Sequence, residues 1–326
     1  MEPELVVATP PARDSGSGAR FIFFNERGLR AGWRIAIFTG IMAVLLGIVG
    51  IGFVLYKMAR GASPQPAVTL SPLGVGISDL ISFLLLLLAS FIMTRIERRP
   101  LCTYGLPMRH PRLSQFVAGW VFWGFLPLTL LLLAMRGLNV FYFGNLALHG
   151  AEILRYAILW AFAFLCVGLF EEYFTRGYLL YTLADGIGFW PAAIVLAVGF
   201  ALLHVPNHGE TRIGLIDVSL FAIFAATTLR LTGNLWLAVG AHAGWDWGQS
   251  FFYGVNDSGT PAVGHLLSSH IQGPDWLSGG SVGPEGSVLS STLLILMTIA
   301  FVAIYRKQRE EATIIQPESS PAPPAL

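Results

Sequence analysis

Charge is what this chain has least of. Asp, Glu, Lys and Arg make up 12% of its 326 residues, against roughly 25% in an ordinary soluble domain. So few charges exclude an ordinary soluble fold. The two signs nearly cancel, leaving a net +1, which removes any general attraction to nucleic acid or to an acidic partner. Cysteine is just as sparse: Cys102 and Cys166 lie 64 residues apart. That spacing suits neither a metal site nor a disulfide framework, and both read as free thiols. The zinc-protease helix HExxH does not occur, and no Lys or Arg falls between residues 231 and 305. The opening MEPELVVATPPARDSGSGARFIFFNERGLR lacks a short apolar core followed by a small-residue cleavage site. The first long apolar run is therefore expected to stay in the membrane as an anchor.

Apolar residues fill the chain instead, at 54% of the sequence with a mean hydropathy of +0.65. Eight runs are long enough to span a bilayer, near 33–56, 77–94, 115–135, 152–184, 189–206, 213–232, 235–254 and 286–306. The expected fold is all-α, a polytopic membrane helix bundle of about eight transmembrane helices. The fourth run exceeds what a bilayer requires, so it tilts or projects, and the short stretch Leu138–Leu148 reads as interfacial. Residues 1–32 form an expected cytoplasmic N-terminal segment, 33–307 the transmembrane domain, and 308–326 a Pro-rich disordered tail. Sorting Lys and Arg by side gives 15 against 5, which predicts both termini in the cytoplasm. The segment NDSGTPAVGHLLSSHIQGPDWLSGGSVGPEGS then faces the other way. Its His265 and His270 have no close carboxylate pair and read as ordinary loop residues.

Ionisable groups inside a membrane need partners or a function. Three runs carry such groups, and the rest are nearly free of them. In LFEEYFTRGYLL, Glu172 and Arg176 are four apart and meet on one helix face, while Glu171 points about 100° away and stays free. Alone, the trio fits either one buried ion cluster or a catalytic site. In GFALLHVPNHGE, Phe200 and His204 are four apart, so the ring can pack against the imidazole; Pro206 ends or kinks the helix, which makes His208 a poor second ligand. In GAHAGWDWGQSFF, His242 and Asp246 share a face, as a buried hydrogen bond or as working groups. Gly240, Gly244 and Gly248 there allow close helix approach. Counted from the cytoplasmic ends, Glu171 lies about 13 residues deep and His204 about 15, heights that agree within roughly 3 Å at 1.5 Å per residue. A carboxylate beside imidazoles can deprotonate water, directly or with a metal, and a second imidazole can stabilise an oxyanion. No Ser or Cys clearly accompanies them, so covalent catalysis has less support.

EEYFTR resembles the EExxxR motif, FALLH the FxxxH motif and HAGWD the final HxxxN/D motif of the CPBP family. That family comprises the CAAX prenyl endopeptidases and the bacterial proteins often labelled "CAAX protease self-immunity". The similarity covers roughly residues 150–290, and the flanking text resembles bacterial members. The resemblance implies that Glu171 activates water, with His204 assisting or holding a metal. His242 and Asp246 would complete the site by polarising the scissile carbonyl or ligating the same ion, and Glu172 with Arg176 would hold the helix geometry. Zinc is the implied cofactor, with His204, His242 and Asp246 as its ligands. The last motif often ends in Asn; Asp246 is a poorer oxyanion donor but a better metal ligand. The resemblance thus implies an intramembrane metalloendopeptidase acting on a membrane-associated protein or peptide, in a bacterial inner membrane. The other reading is a non-catalytic scaffold or bacteriocin self-immunity protein on the same fold. A solute transporter would show inverted repeats, and none is visible.

Overall fold

In lipid the backbone has no water to bond, and a helix satisfies every N–H and C=O within itself. The long apolar runs of this chain accordingly fold as helices. The computed structural model describes residues 22–25, 28–61, 71–107 and 112–315. Its main elements are α1 (Ala31–Ala59), α2 (Pro72–Glu97), α3 (Leu113–Gly137), α4 (Ala151–Arg176), α5 (Tyr178–Ile187), α6 (Phe189–His204), α7 (Arg212–Thr232), α8 (Trp236–Asp246) and α9 (Val288–Ile315). Among the described residues, six helical stretches are long and apolar enough to cross a membrane: α1, α2, α3, α4 with α5, α7 and α9. The protein is a polytopic, integral membrane helix bundle. The other two expected runs form shorter helices. α6 has 16 residues, and α8 has 11 and continues as seven residues of π-helix, Trp247–Tyr253.

Two boundaries differ from the sequence reading. The long fourth run is two helices, because the chain breaks at Gly177, whose backbone (φ −83°, ψ −125°) leaves the helical region. A Cβ there would run into the Tyr173 carbonyl, so only glycine fits the corner. At the other end α9 continues to Ile315, into the expected tail. Most of the expected N-terminal segment, and residues 316–326, lie outside the described residues.

α8 is the axis of the bundle, buried at every position from Leu237 to Asp246. Small residues make this possible. A Cβ on Gly240 would overlap the backbone of Phe116, and one on Gly244 that of Trp120; a Cβ on Gly119 or Gly124 of α3 would strike α8 in return. The two backbones therefore touch, as small-residue faces permit in membranes. Replacing Gly244 by Leu is expected to destabilise the detergent-solubilised protein by at least about 1–3 kcal/mol through overpacking, measured as a fall in Tm. Wild-type melting in that variant would show that α3 and α8 are not in backbone contact.

The segment from 254 to 287 folds back over one end of the bundle. Phe141–Tyr142 pairs antiparallel with His270–Ile271, and His270 stacks on Tyr142 at 5.1 Å between ring centres. His265 donates from Nδ1 to the Ala262 carbonyl at 2.9 Å. Both histidines serve the packing of this segment. Neither cysteine is in a disulfide; Cys102 is exposed and Cys166 buried.

Candidate active site

Three of the candidate side chains come from the last turns of α4. Arg176 donates through Nη1 to Glu172 Oε2 at 2.7 Å, the i,i+4 pair expected from the spacing. Its Nε donates to the Ala222 carbonyl on α7, and its guanidinium lies over the Phe200 ring of α6 at 5.6 Å. Arg176 thus ties three helices together at one buried point. Glu172 is 0% exposed. Its second oxygen, Oε1, takes a bond that sequence reasoning did not assign: it accepts from His242 Nδ1 on α8 at 2.8 Å. Glu172 is therefore both the partner of Arg176 and the anchor of His242.

With Nδ1 fixed, the other imidazole nitrogen of His242 faces Glu171 and Asp246. Nε2 lies 3.5 Å from Glu171 Oε2 and 3.4 Å from Asp246 Oδ2. The Phe221 ring holds the imidazole edge-on at 5.1 Å, so its plane is set from two sides. Glu171 points away from Glu172, as the 100° step requires, and its side chain is 26% exposed. It lines a cavity of about 290 Å³ together with His204, His242 and Asp246. His204 closes α6, donating from Nδ1 to the Phe200 carbonyl at 2.9 Å, with the Phe200 ring edge-on at 4.7 Å. Three helices, α4, α6 and α8, thus bring a carboxylate, two imidazoles and an aspartate to one cavity. Glu172 and Arg176 stand behind that wall.

Residues 153–248 match the family model of the type II CAAX prenyl endopeptidases, described as Rce1-like. The matched stretch contains Glu171, Glu172, Arg176, His204, His242 and Asp246. Over that stretch the chain is similar to the CAAX protease family. No curated protein matches the chain. That similarity points to a protease.

The donors around the cavity decide whether the zinc that the resemblance implies would fit there. Among the described residues, no group of three or more His, Cys, Asp and Glu is arranged to hold a metal ion. His242 has both ring nitrogens turned to carboxylates, and His204 approaches the cavity from a separate helix. Among the described residues the arrangement does not fit a metal centre.

Four further carboxylates of the same cavity were not singled out from the sequence: Asp79 on α2, Asp217 on α7, and Asp257 and Glu285 in the segment beyond α8. Asp79 and Asp217 are lone acids inside long apolar runs, and the cost of burying them in a bilayer was the signal that marks them. Asp257 and Glu285 gave no such signal, because they sit in a polar stretch. Only the fold turns them inward. Asp257 accepts from Ser250 Oγ at 2.9 Å, and Glu285 accepts from the Ser258 backbone N–H at 2.5 Å. Burial pushes the Asp257 carboxyl up to about 6, and burial, then the charge of Asp257, holds Glu285 well above the usual range.

Proposed function

We propose that this chain is an intramembrane endopeptidase that hydrolyses a peptide bond of a membrane-associated protein or peptide with water activated by Glu171. The observation that carries the reading is the convergence of Glu171, His242 and Asp246 on the cavity that His204 shares. Glu171 takes a proton from water, and the water oxygen attacks the carbonyl carbon. The negative charge that forms on the carbonyl oxygen is met by the Nε2–H of His242, which Glu172 orients through Nδ1. The C–N bond then breaks as the proton held by Glu171 passes to the leaving nitrogen. His204, with Nδ1 committed to Phe200, offers Nε2 to the water or to the leaving group. Asp246 limits the swing of the His242 ring. The substrate is a membrane peptide or membrane regulator rather than a prenylated protein, since the flanking sequence resembles bacterial members. The setting that goes with this is a bacterial inner membrane with both termini cytoplasmic.

Two additions test the chemistry with the purified full chain and a cleaved membrane peptide. Hydroxylamine is expected to give no hydroxamate product, because water attacks the bond directly and no acyl-enzyme forms. Prolonged treatment with 1,10-phenanthroline is expected to leave turnover intact. Hydroxamate formation, or loss of activity that zinc restores, would replace this mechanism with a covalent or a metal-dependent one.

A further inference from the structure

Catalysis as written gives Asp79 no task. It stands inside α2, in a long apolar run, and lines the cavity with Glu171 and His242. Asp217, Asp257 and Glu285 each accept a hydrogen bond from a serine. Asp79, among the described residues, enters no hydrogen bond and no ion pair. An ionisable group left without such a partner in a membrane span marks function. The groups whose charges reach it are Glu171 and His242, both members of the site already described.

Helical spacing fixes where Asp79 stands. Gly76, Asp79 and Phe83 are three and four residues apart and share one face of α2. That face lies on α4: Gly76 packs against Phe162 and Ala163, and Phe83 meets the Tyr173 ring edge-on at 6.0 Å between ring centres. Asp79, between these contacts, comes level with the stretch of α4 one turn before Glu171. α4 meets α8 on another side, at Gly168 against Val239 and at Glu172 against His242. At about 100° per residue, the cavity-lining Phe164, Val167 and Glu171 fall between the two contact faces. So α2 and α8 flank the cavity, with Asp79 on one side of Glu171 and His242 on the other. A trans peptide unit points its C=O and its N–H in opposite directions. With the scissile carbonyl oxygen at His242 Nε2, the nitrogen of that bond is turned toward α2.

We propose that Asp79 is the general acid of the reaction, giving a proton to the leaving nitrogen as the C–N bond breaks. This rests on the protease reading of Glu171 and His242. Glu171 takes a proton from the attacking water, and Asp79, in its acid form, gives one to the nitrogen, which departs as the amine. The proton on Glu171 then passes to Asp79 through water in the cavity. Both carboxyls are back where they began, and the sum is hydrolysis alone. The acid form suits the place, since a carboxylate with no ion-pair partner is costly inside a bilayer. Asp79 lies outside residues 153–248, so the similarity to the CAAX proteases does not carry this role.

The experiment varies the leaving group. The full chain in nanodiscs is given a Leu/Ala membrane peptide that it cleaves, and the acyl half of that peptide as its para-nitrophenyl ester. Nitrophenolate leaves without taking a proton, so the ester needs the water-activating base and no general acid. Asp79→Asn is expected to lower kcat on the peptide by roughly 10²–10⁴-fold and to hydrolyse the ester close to the wild-type rate. Asp79→Glu, which keeps the acid, is expected to recover part of the peptide turnover. Undiminished peptide cleavage by Asp79→Asn, or an equal loss on both substrates, would overturn the assignment. The protease reading fails in a different variant, Glu171→Gln, which is expected to lose both reactions and sinks that reading if it keeps them.

Discussion

Glu171→Gln is expected to lower kcat for peptide hydrolysis by roughly 10²–10⁴-fold, the usual worth of a positioned general base, with no change in Tm. The two halves of that expectation come from different contacts. Gln keeps the volume and the polar end of the side chain but cannot take a proton from water. Meanwhile Glu171 supports little of the fold. Its side chain is a quarter exposed, and its ion-pair partner, His242 Nε2, lies 3.5 Å away on a ring that Glu172 holds in any case. KM should move little, because the carboxylate acts on water rather than on the substrate. A purified Glu171→Gln protein that still turns over at the wild-type rate would remove Glu171 from the mechanism. A large fall in Tm would mean that the carboxylate is structural.

Much of this site was legible before the structure. The Glu172–Arg176 pair, the outward turn of Glu171, the packing of Phe200 on His204 and the glycine face of α8 all follow from helical spacing. Helical spacing is local, and a single sequence carries it. The contacts that span the chain are of another kind. Nothing in the text ties Glu172 to His242, 70 positions away, or Arg34 to Glu97 and Asp185 across 63 and 151 positions. Such pairs depend on which helices become neighbours. That in turn depends on backbone contacts such as those of Gly119, Gly124, Gly240 and Gly244, which are visible only once α3 and α8 are laid together. Asp79 and Asp217 form an intermediate class. Their cost in an apolar run was readable, but their direction was not. Asp257 and Glu285 were hidden altogether, since a polar stretch with Gly and Pro looks the same whether it floats in solvent or folds into a cavity.

Breaking the Glu172–Arg176 pair should give the opposite signature to Glu171→Gln. Arg176→Ala leaves the Glu172 carboxylate at 0% exposure without its main partner, and also removes the bond to Ala222 on α7 and the stacking on Phe200 of α6. Orphaning one member of a buried ion pair costs about 3–5 kcal/mol, so Arg176→Ala and Glu172→Ala are each expected to melt far below wild type. The double variant Glu172→Leu/Arg176→Leu separates support from chemistry. A buried pair replaced by apolar side chains of similar size is often neutral in stability, and Leu is a natural neighbour in this bundle, so Tm should largely return. Activity should not return, because His242 Nδ1 has then lost the acceptor that aims Nε2 at the reacting carbonyl. Recovery of both Tm and turnover would mean that His242 needs no anchor and that the pair is architecture alone. Recovery of neither would mean that the charge on Arg176 is itself required to hold α4, α6 and α7 together.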